Sequence, residues 1–259
     1  MLFCRHRHGD TVNHGIVEGA RVQPIEGEIF GGHQPAGEPI PLAEVQLLAP
    51  LIPRTILAAA VNYQSHAPSG RAVLKDDAAP TVPQLFLKPT SSVIGHGETI
   101  VLPTGAHRVD AEGELVAVVG RTCRKVTSED ALSYVFGYTC GNDVSARHWQ
   151  RDDLQWWRAK GSDTFTVIGP VIATGLDPSD LRLRTLVDGE ERQSSRTSQL
   201  IHSIGKMIAF ASEVMTLAPG DMLFTGTPGE PPKLEDGGVV EIEIEGIGTL
   251  SNPVRREPA

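Results

Sequence analysis

The segment Glu112-Gly113-Glu114-Leu115-Val116-Ala117-Val118-Val119-Gly120 restricts the fold more than any other part of the chain. A short apolar run ended by a glycine reads as a buried strand, which makes a sheet the frame of the molecule. Side chains alternate along a strand, so Glu112 and Glu114 leave by the same face. Two carboxylates held together repel, and that costs stability unless a cation or a proton joins them. Val135 to Asn142 reads as a second strand, and Asp143 at its end is a third oxygen donor. Three such donors make half the shell of a hard divalent ion, and oxygen-only ligands favour Mg²⁺, Mn²⁺ or Ca²⁺ over Zn²⁺. The plainer reading is a solvated Glu-x-Glu pair at a strand edge, and spacing alone does not separate the two.

The rest of the chain predicts many strands and few helices. Thr55–Val61, Gln84–Lys88, Thr99–Leu102, Met222–Phe224 and Val239–Ile244 have strand character, with Gly237-Gly238 as a turn. Leu183–Val187 and Glu190–Gln193 flank Asp188-Gly189, a strong hairpin signal. Gln199 to Met215 carries apolar residues at helical spacing, including Phe210 and Val214, and is expected to pack into the core. A short helix is expected over Ser128–Tyr134 with Ser128 as N-cap, and a helical turn or ordered loop over 150–158. Residues 1–49 are turn-rich, with small strands at Gly15–Val17 and Glu28–Phe30, and form a small N-terminal domain. Pro50 and Pro53 mark the boundary to a second domain over 50–259. The fold class is therefore α+β and β-rich. His6, His8, His14 and His33 are irregularly spaced and expected on the surface. The polar stretch from Gln64 to Pro83 lacks periodicity and reads as a functional lid or a disordered segment.

With 259 residues and 40% hydrophobic content, the chain is long and apolar enough for one sizeable core plus an appendage. A net charge of -9 argues against nucleic acid as a partner. Cys4, Cys123 and Cys140 are odd in number and unpaired in spacing, which reads as reduced thiols in a cytoplasmic protein, with Cys140 as buried filler. No apolar run approaches the ~20 residues of a membrane span, and no secretory signal is expected.

The motifs E-G-E-L-V-A-V-V-G, G-Y-T-C-G-N-D-V-S-A-R-H-W-Q, Q-W-W-R-A-K-G-S-D-T-F and T-L-A-P-G-D-M-L-F-T-G-T-P occur in this order. Together they resemble the fumarylacetoacetate hydrolase superfamily, over about residues 50 to 254. The resemblance implies a mixed β-roll or sandwich catalytic domain, often preceded by a short N-terminal domain, and commonly a homodimer. It implies that Glu112, Glu114 and Asp143 bind a divalent metal, usually Mg²⁺. His66, in N-Y-Q-S-H, then corresponds to a general base, a role that suits imidazole at neutral pH. Lys160 corresponds to an active-site lysine that offsets negative charge and donates to a developing enolate. Arg147 and Gln150 match residues that hold substrate, where a guanidinium clamps a carboxylate with two bonds. Lys88 and Thr227 are weaker matches to substrate contacts. Read without the resemblance, His66, Lys160 and Arg147 are ordinary structural or surface residues.

The chain departs from the family pattern at two places. Family members commonly carry a Glu three residues after this His, and Ser69 stands there instead. A hydroxyl does not stabilise imidazolium as a carboxylate does, so water activation is weakened. Gly229, Glu230, Pro231 and Pro232 replace the G-V-G that usually follows T-G-T-P, which changes the shape of that loop. The expected substrate is a small 2-oxo or enol dicarboxylic acid. The first expectation is hydrolysis of a C–C bond in an acylpyruvate-type acid. Isomerisation of a 2-hydroxy-diene dicarboxylate comes next, as in aromatic catabolism, because it needs no attacking water. Decarboxylation of a 2-oxo diacid and a ligand-binding relative with little turnover complete the alternatives.

Overall fold

The computed structural model describes residues 1–66 and 80–258. Most of the Gln64 to Pro83 stretch, with Ser69, lies outside the described residues.

The N-terminal strands are β1 (Leu2–His8), β2 (Thr11–Glu18), β3 (Arg21–Gly27), β4 (His33–Pro35), β5 (Ile40–Pro41) and β6 (Gln46–Leu48). Then come β7 (Ile56–Ala59), β8 (Leu85–Lys88), β9 (Val93–Ile94), β10 (Ile100–Leu102), β11 (Val109–Asp110), β12 (Gly113–Val119), β13 (Val135–Asp143) and β14 (Ser145–Ala146). Two short helices follow, α1 (Arg147–Asp152) and α2 (Trp157–Gly161). The chain continues through β15 (Thr166–Ala173), β16 (Arg182–Val187), β17 (Glu190–Arg196), α3 (Ile204–Val214), β18 (Met222–Phe224), β19 (Val239–Ile244) and β20 (Gly248–Arg256).

Among the described residues, the large sheet runs β4-β3-β2-β1-β15-β13-β12-β18-β7-β8, with β5, β6 and β9 attached beside it. A second sheet runs β10-β20-β19-β16-β17 and packs over the middle of the first. The result is the expected strand-rich α+β fold. The N-terminal strands continue the large sheet, because β1 pairs antiparallel with β15 at Leu2↔Ala173 and Phe3↔Ile172.

Strand β12 lies at the centre, paired to β13 on one side and β18 on the other. Its whole length is buried. Leu115, Ala117 and Val119 join a cluster with Leu183, Ile242 and Leu250 of the second sheet. Val116 and Val118 join a cluster on the opposite face with Ile56, Ile168 and Phe224. Both faces being covered explains the continuous apolar run. Gly113 permits the close approach of the two sheets: a Cβ there would lie 2.2 Å from Thr185 Oγ1 and 3.0 Å from Ile242 Cδ1. The hairpin of β16 and β17 turns at Asp188-Gly189 as expected, both with positive φ.

Several local expectations differ from the structure. Glu28–Phe30 is a turn rather than a strand, entered after Gly27 at a φ of 103°. The helix expected from Gln199 begins at Ile204, where the Ser203 hydroxyl accepts from Lys206 N–H at 3.2 Å. Residues Ile201 and His202 are held outside it by Asn62, through Ile201 N–H to the Asn62 carbonyl and His202 N–H to Asn62 Oδ1. Phe210 and Val214 on this helix are exposed, not core. Ser128 caps no helix; Ala131–Tyr134 forms a single 3₁₀ turn, and Thr127 Oγ1 accepts from Asp130 N–H at 3.2 Å. His6 is buried beside Cys4, contrary to the surface expectation, because β1 lies inside the large sheet. All three cysteines are buried. No helix among the described residues is long and apolar enough to cross a membrane.

Candidate active site

Glu112, Glu114 and Asp143 come together at the C-terminal end of β13 and the start of β12. The pairing Gly113↔Asn142 sets Glu112 beside Asp143, and Asp143 N–H donates to the Glu112 carbonyl at 2.9 Å. The Asn142 side chain fixes the same junction, its Oδ1 accepting from Glu112 N–H at 2.9 Å. One ligand-type oxygen from each of the three carboxylates lies within 4.8 Å of the others, and all three residues are buried. The solvated-edge reading of Glu-x-Glu is therefore excluded.

Three cations counter these acids. Lys160, on α2, donates to Glu112 Oε2 and to Asp143 Oδ2, each at 2.6 Å. Lys88, at the end of β8, donates to Asp143 Oδ1 and to the Lys160 carbonyl. Arg147, at the start of α1, pairs with Glu112 Oε1 and Asp110 Oδ2, each at 2.7 Å, and donates to Gln150 Oε1 at 2.9 Å. Burial opposes ionisation of Glu112, but the charges of Lys160 and Arg147 outweigh it and hold this carboxyl below the usual range. Burial also disfavours the Lys160 ammonium, yet Asp143 and Glu112 keep it charged and raise its pKa. At Lys88 burial wins over Asp143, and its pKa is lowered.

Glu114 is the exception. It lacks a cationic partner among the described residues. Gly226 N–H donates to its Oε2 at 2.6 Å, while its Oε1 is buried with no hydrogen-bond partner among the described residues. Burial first, then the charges of Asp143 and Glu112, raise its pKa well above the ordinary carboxyl value. A buried carboxylate oxygen without a donor is costly. A hard dication drawn to three converging oxygens removes that cost, so the residues present fit a divalent metal.

His66 ends a 3₁₀ turn over Gln64–His66 and is buried. Its Nδ1 lies 2.7 Å from the Gly229 carbonyl. A carbonyl only accepts, so Nδ1 carries the hydrogen and Nε2 is the basic nitrogen. Burial lowers the His66 pKa, with the Glu112 charge opposing. Glu112 and His66 are thus close enough to feel each other's charge. Thr227 and Gln193 are buried together, Gln193 Nε2 donating to Thr227 Oγ1 at 3.1 Å. Tyr63 and Asn62 are both buried, Asn62 as the tie to the α3 approach and Tyr63 within reach of the Glu114 charge, its hydroxyl without a partner among the described residues.

Two residues of this constellation escape sequence reasoning. Asp110 continues the alternation of Glu112 and Glu114 and anchors both Arg108 and Arg147, so the period of two was its available signal. Gln193 lies on the second sheet and carries no local signal.

The family described as fumarylacetoacetate (FAA) hydrolase C-terminal matches residues 55–255, and that described as Rv2993c-like, N-terminal matches residues 1–50. The chain belongs to the fumarylacetoacetate hydrolase family. It is 47% identical over 269 residues to Protein Rv2993c of Mycobacterium tuberculosis, covering 99% of each chain. It resembles the crystal structure of 5-carboxymethyl-2-hydroxymuconate delta-isomerase from Mycobacterium smegmatis at 46% identity and TM-score 0.92, covering 99% of this chain and 100% of that one. It also resembles maleylpyruvate hydrolase from Sphingobium sp. SYK-6 in complex with manganese(II) and pyruvate, at 31% identity and TM-score 0.81, covering 100% of both.

Proposed function

We propose that the protein is a divalent-metal-dependent enzyme of 2-oxo and enol dicarboxylic acids, and that it moves a proton between carbon atoms as an isomerase. Glu112, Glu114 and Asp143 would hold the ion, Mg²⁺ first and Mn²⁺ or Ca²⁺ as alternatives. The ion supplies Lewis-acid polarisation of substrate oxygens. By formal charge, four carboxylates (Asp110, Glu112, Glu114, Asp143) meet four cations (Lys88, Arg108, Arg147, Lys160) around this point. Adding a dication leaves a charge that one dicarboxylate neutralises. Arg147 and Gln150 would bind the acid, and Thr227 and Lys88 would line its place. Lys160 would stabilise charge on the enolate oxygen.

The observation that carries isomerisation ahead of hydrolysis is the partner of His66 Nδ1. Among the described residues it is the Gly229 carbonyl, not a carboxylate, and burial lowers the pKa of the ring. Such a base can take a proton from the acidic carbon next to a polarised ketone and return it. It is weak for the harder task of activating water. The likeness to the Mycobacterium smegmatis isomerase supports this reading. C–C hydrolysis of an acylpyruvate stands as the second reading, favoured by the likeness to maleylpyruvate hydrolase.

The test is turnover with Mg²⁺ or Mn²⁺ of 5-carboxymethyl-2-hydroxymuconate, oxaloacetate in deuterium oxide, and maleylpyruvate. Metal-dependent double-bond migration or deuterium exchange, lost in His66→Ala, supports the proposal. Release of pyruvate from maleylpyruvate as the dominant reaction favours hydrolysis, and inertness toward all three sinks both.

A further inference from the structure

The turn Gly226-Thr227-Pro228-Gly229, which follows β18, touches both halves of the site. At its start Gly226 N–H donates to Glu114 Oε2 at 2.6 Å. At its end the Gly229 carbonyl receives the His66 Nδ1 hydrogen at 2.7 Å, and Gly229 N–H donates to Ser65 Oγ at 3.1 Å. The orientation of the base and that of Glu114 are therefore set by one four-residue strap.

A single side chain from the second sheet grips the strap between these ends. Gln193 is buried, and its Nε2 donates to Thr227 Oγ1 at 3.1 Å and to the Pro228 carbonyl at 2.5 Å. The Pro228 carbonyl only accepts, so its position fixes which end of the amide is nitrogen. Both Nε2 hydrogens are then used, and Gln193 Oε1 has no partner among the described residues. An apolar residue would fill this place without burying an unpaired oxygen, so the cost of the amide points to the two directed bonds. Since Thr227 Oγ1 accepts from Gln193, the hydroxyl hydrogen is left over to donate elsewhere. Among the described residues the Thr227 hydroxyl makes no other hydrogen bond.

The same hairpin reaches the metal-ligand strand. Gln193 lies directly across from Thr185, so the two share a face of the second sheet. Thr185 Oγ1 lies against Gly113, between Glu112 and Glu114. One hairpin thus packs Thr185 against Gly113 and grips the strap through Gln193.

We propose that Gln193 is a positioning residue of this site: it holds the Gly226–Gly229 strap so that His66 keeps its hydrogen on Nδ1 and Thr227 turns its hydroxyl hydrogen toward a carboxylate of the substrate. The Thr227 half rests on the dicarboxylate reading above; the His66 half does not.

The test uses the full chain labelled with ¹⁵N-histidine, read at fixed pH with EDTA and again with Mg²⁺, alongside steady-state kinetics on the diacids named above. In the wild type His66 shows the Nδ1–H tautomer. Gln193→Met, equal in length and without a donor, shifts His66 to a mixture of tautomers and raises KM for the diacid about tenfold, the loss of one directed bond. Thr227→Val raises KM similarly and leaves the His66 tautomer unchanged. An unchanged tautomer in a folded Gln193→Met protein overturns the proposal, and so does an unchanged KM in Thr227→Val. Gln193→Asn, whose shorter amide falls short of both acceptors, gives the same tautomer reading if Gln193→Met does not fold. If the wild type turns over no diacid, the functional reading fails alone, and the tautomer still decides the role of Gln193.

Discussion

Glu114→Gln is expected to stabilise the metal-free protein and to destroy its response to metal. Among the described residues Glu114 brings a carboxylate into a buried cluster without a counterion of its own, one oxygen held by Gly226 N–H and the other unpartnered. The amide keeps the acceptor for Gly226 and places an NH₂ donor where the orphaned oxygen stood, next to two acceptors, Glu112 and Asp143. Replacing an unfavourable buried charge by a well-fitted neutral group gains about 1–2 kcal/mol. For a chain of this size that is roughly 3–6 °C in Tm. The sign with pH follows from the raised pKa of Glu114. A carboxyl with a folded pKa above its unfolded value contributes stability that is present below the unfolded value, about 4.3, and lost as pH rises through the folded value. The wild type and the variant should therefore melt together near pH 5 in EDTA and separate by pH 8, with the variant higher. Saturating Mg²⁺ reverses the order. At a hundredfold excess over Kd the wild type gains about 2.7 kcal/mol, and the variant, missing one charged ligand, gains little. Calorimetry at the two pH values with EDTA or Mg²⁺ gives all four curves. A variant that melts below the wild type at pH 8 in EDTA, or one that Mg²⁺ stabilises equally, refutes the electrostatic account.

Three further outcomes are expected. Lys160→Met strips the shared donor from Glu112 and Asp143; Tm in EDTA should fall, as about 3–5 kcal/mol is lost when one member of a buried pair goes, and kcat should drop at least ~100-fold. Thermal melts and turnover measured with Mg²⁺ check this, and a variant with near wild-type kcat removes Lys160 from the chemistry. Arg147→Lys keeps the charge but not the fork that reaches Asp110, Glu112 and Gln150, so KM for a diacid should rise about tenfold with a smaller change in kcat. The acid limb of the kcat/KM profile should lie below the ordinary imidazole pKa of about 6.5, because burial lowers that of His66. Its folded value being depressed, the stability from neutral His66 is full above about pH 6.5 and lost as pH falls toward the folded value. A limb above 6.5 that persists in His66→Asn assigns it to another group.

What the sequence reveals here is what short-range rules govern. The apolar run over Leu115–Val119 and the Asp188-Gly189 turn encode their conformations locally, and both form as read. The convergence of Glu112, Glu114 and Asp143 was accessible because strand alternation handles the first two and a strand end supplies the third. Asp110 obeys the same alternation, but its tie to Arg108 and Arg147 is a tertiary contact that the sequence does not display. The late start of α3 is a tertiary effect: Asn62, more than a hundred residues away in sequence, takes the backbone groups that would have extended it. Phe210 fits a helical spacing and yet faces solvent, since periodicity defines a stripe but not what covers it. Gln193 matters only through a strap 34 residues further on, a relation that no pattern in one chain encodes.

The central place of β12 has a consequence for how the molecule fails. Val116, Ala117 and Val118 pair with both β13 and β18, with packed side chains above and below, so the amides of this stretch should exchange with solvent only when the entire structure opens. The acidic triad lies at the end of this strand pair. If the triad holds an ion, heat or denaturant should abolish its binding and cooperative structure in one step, making loss of the first a faithful gauge of the second.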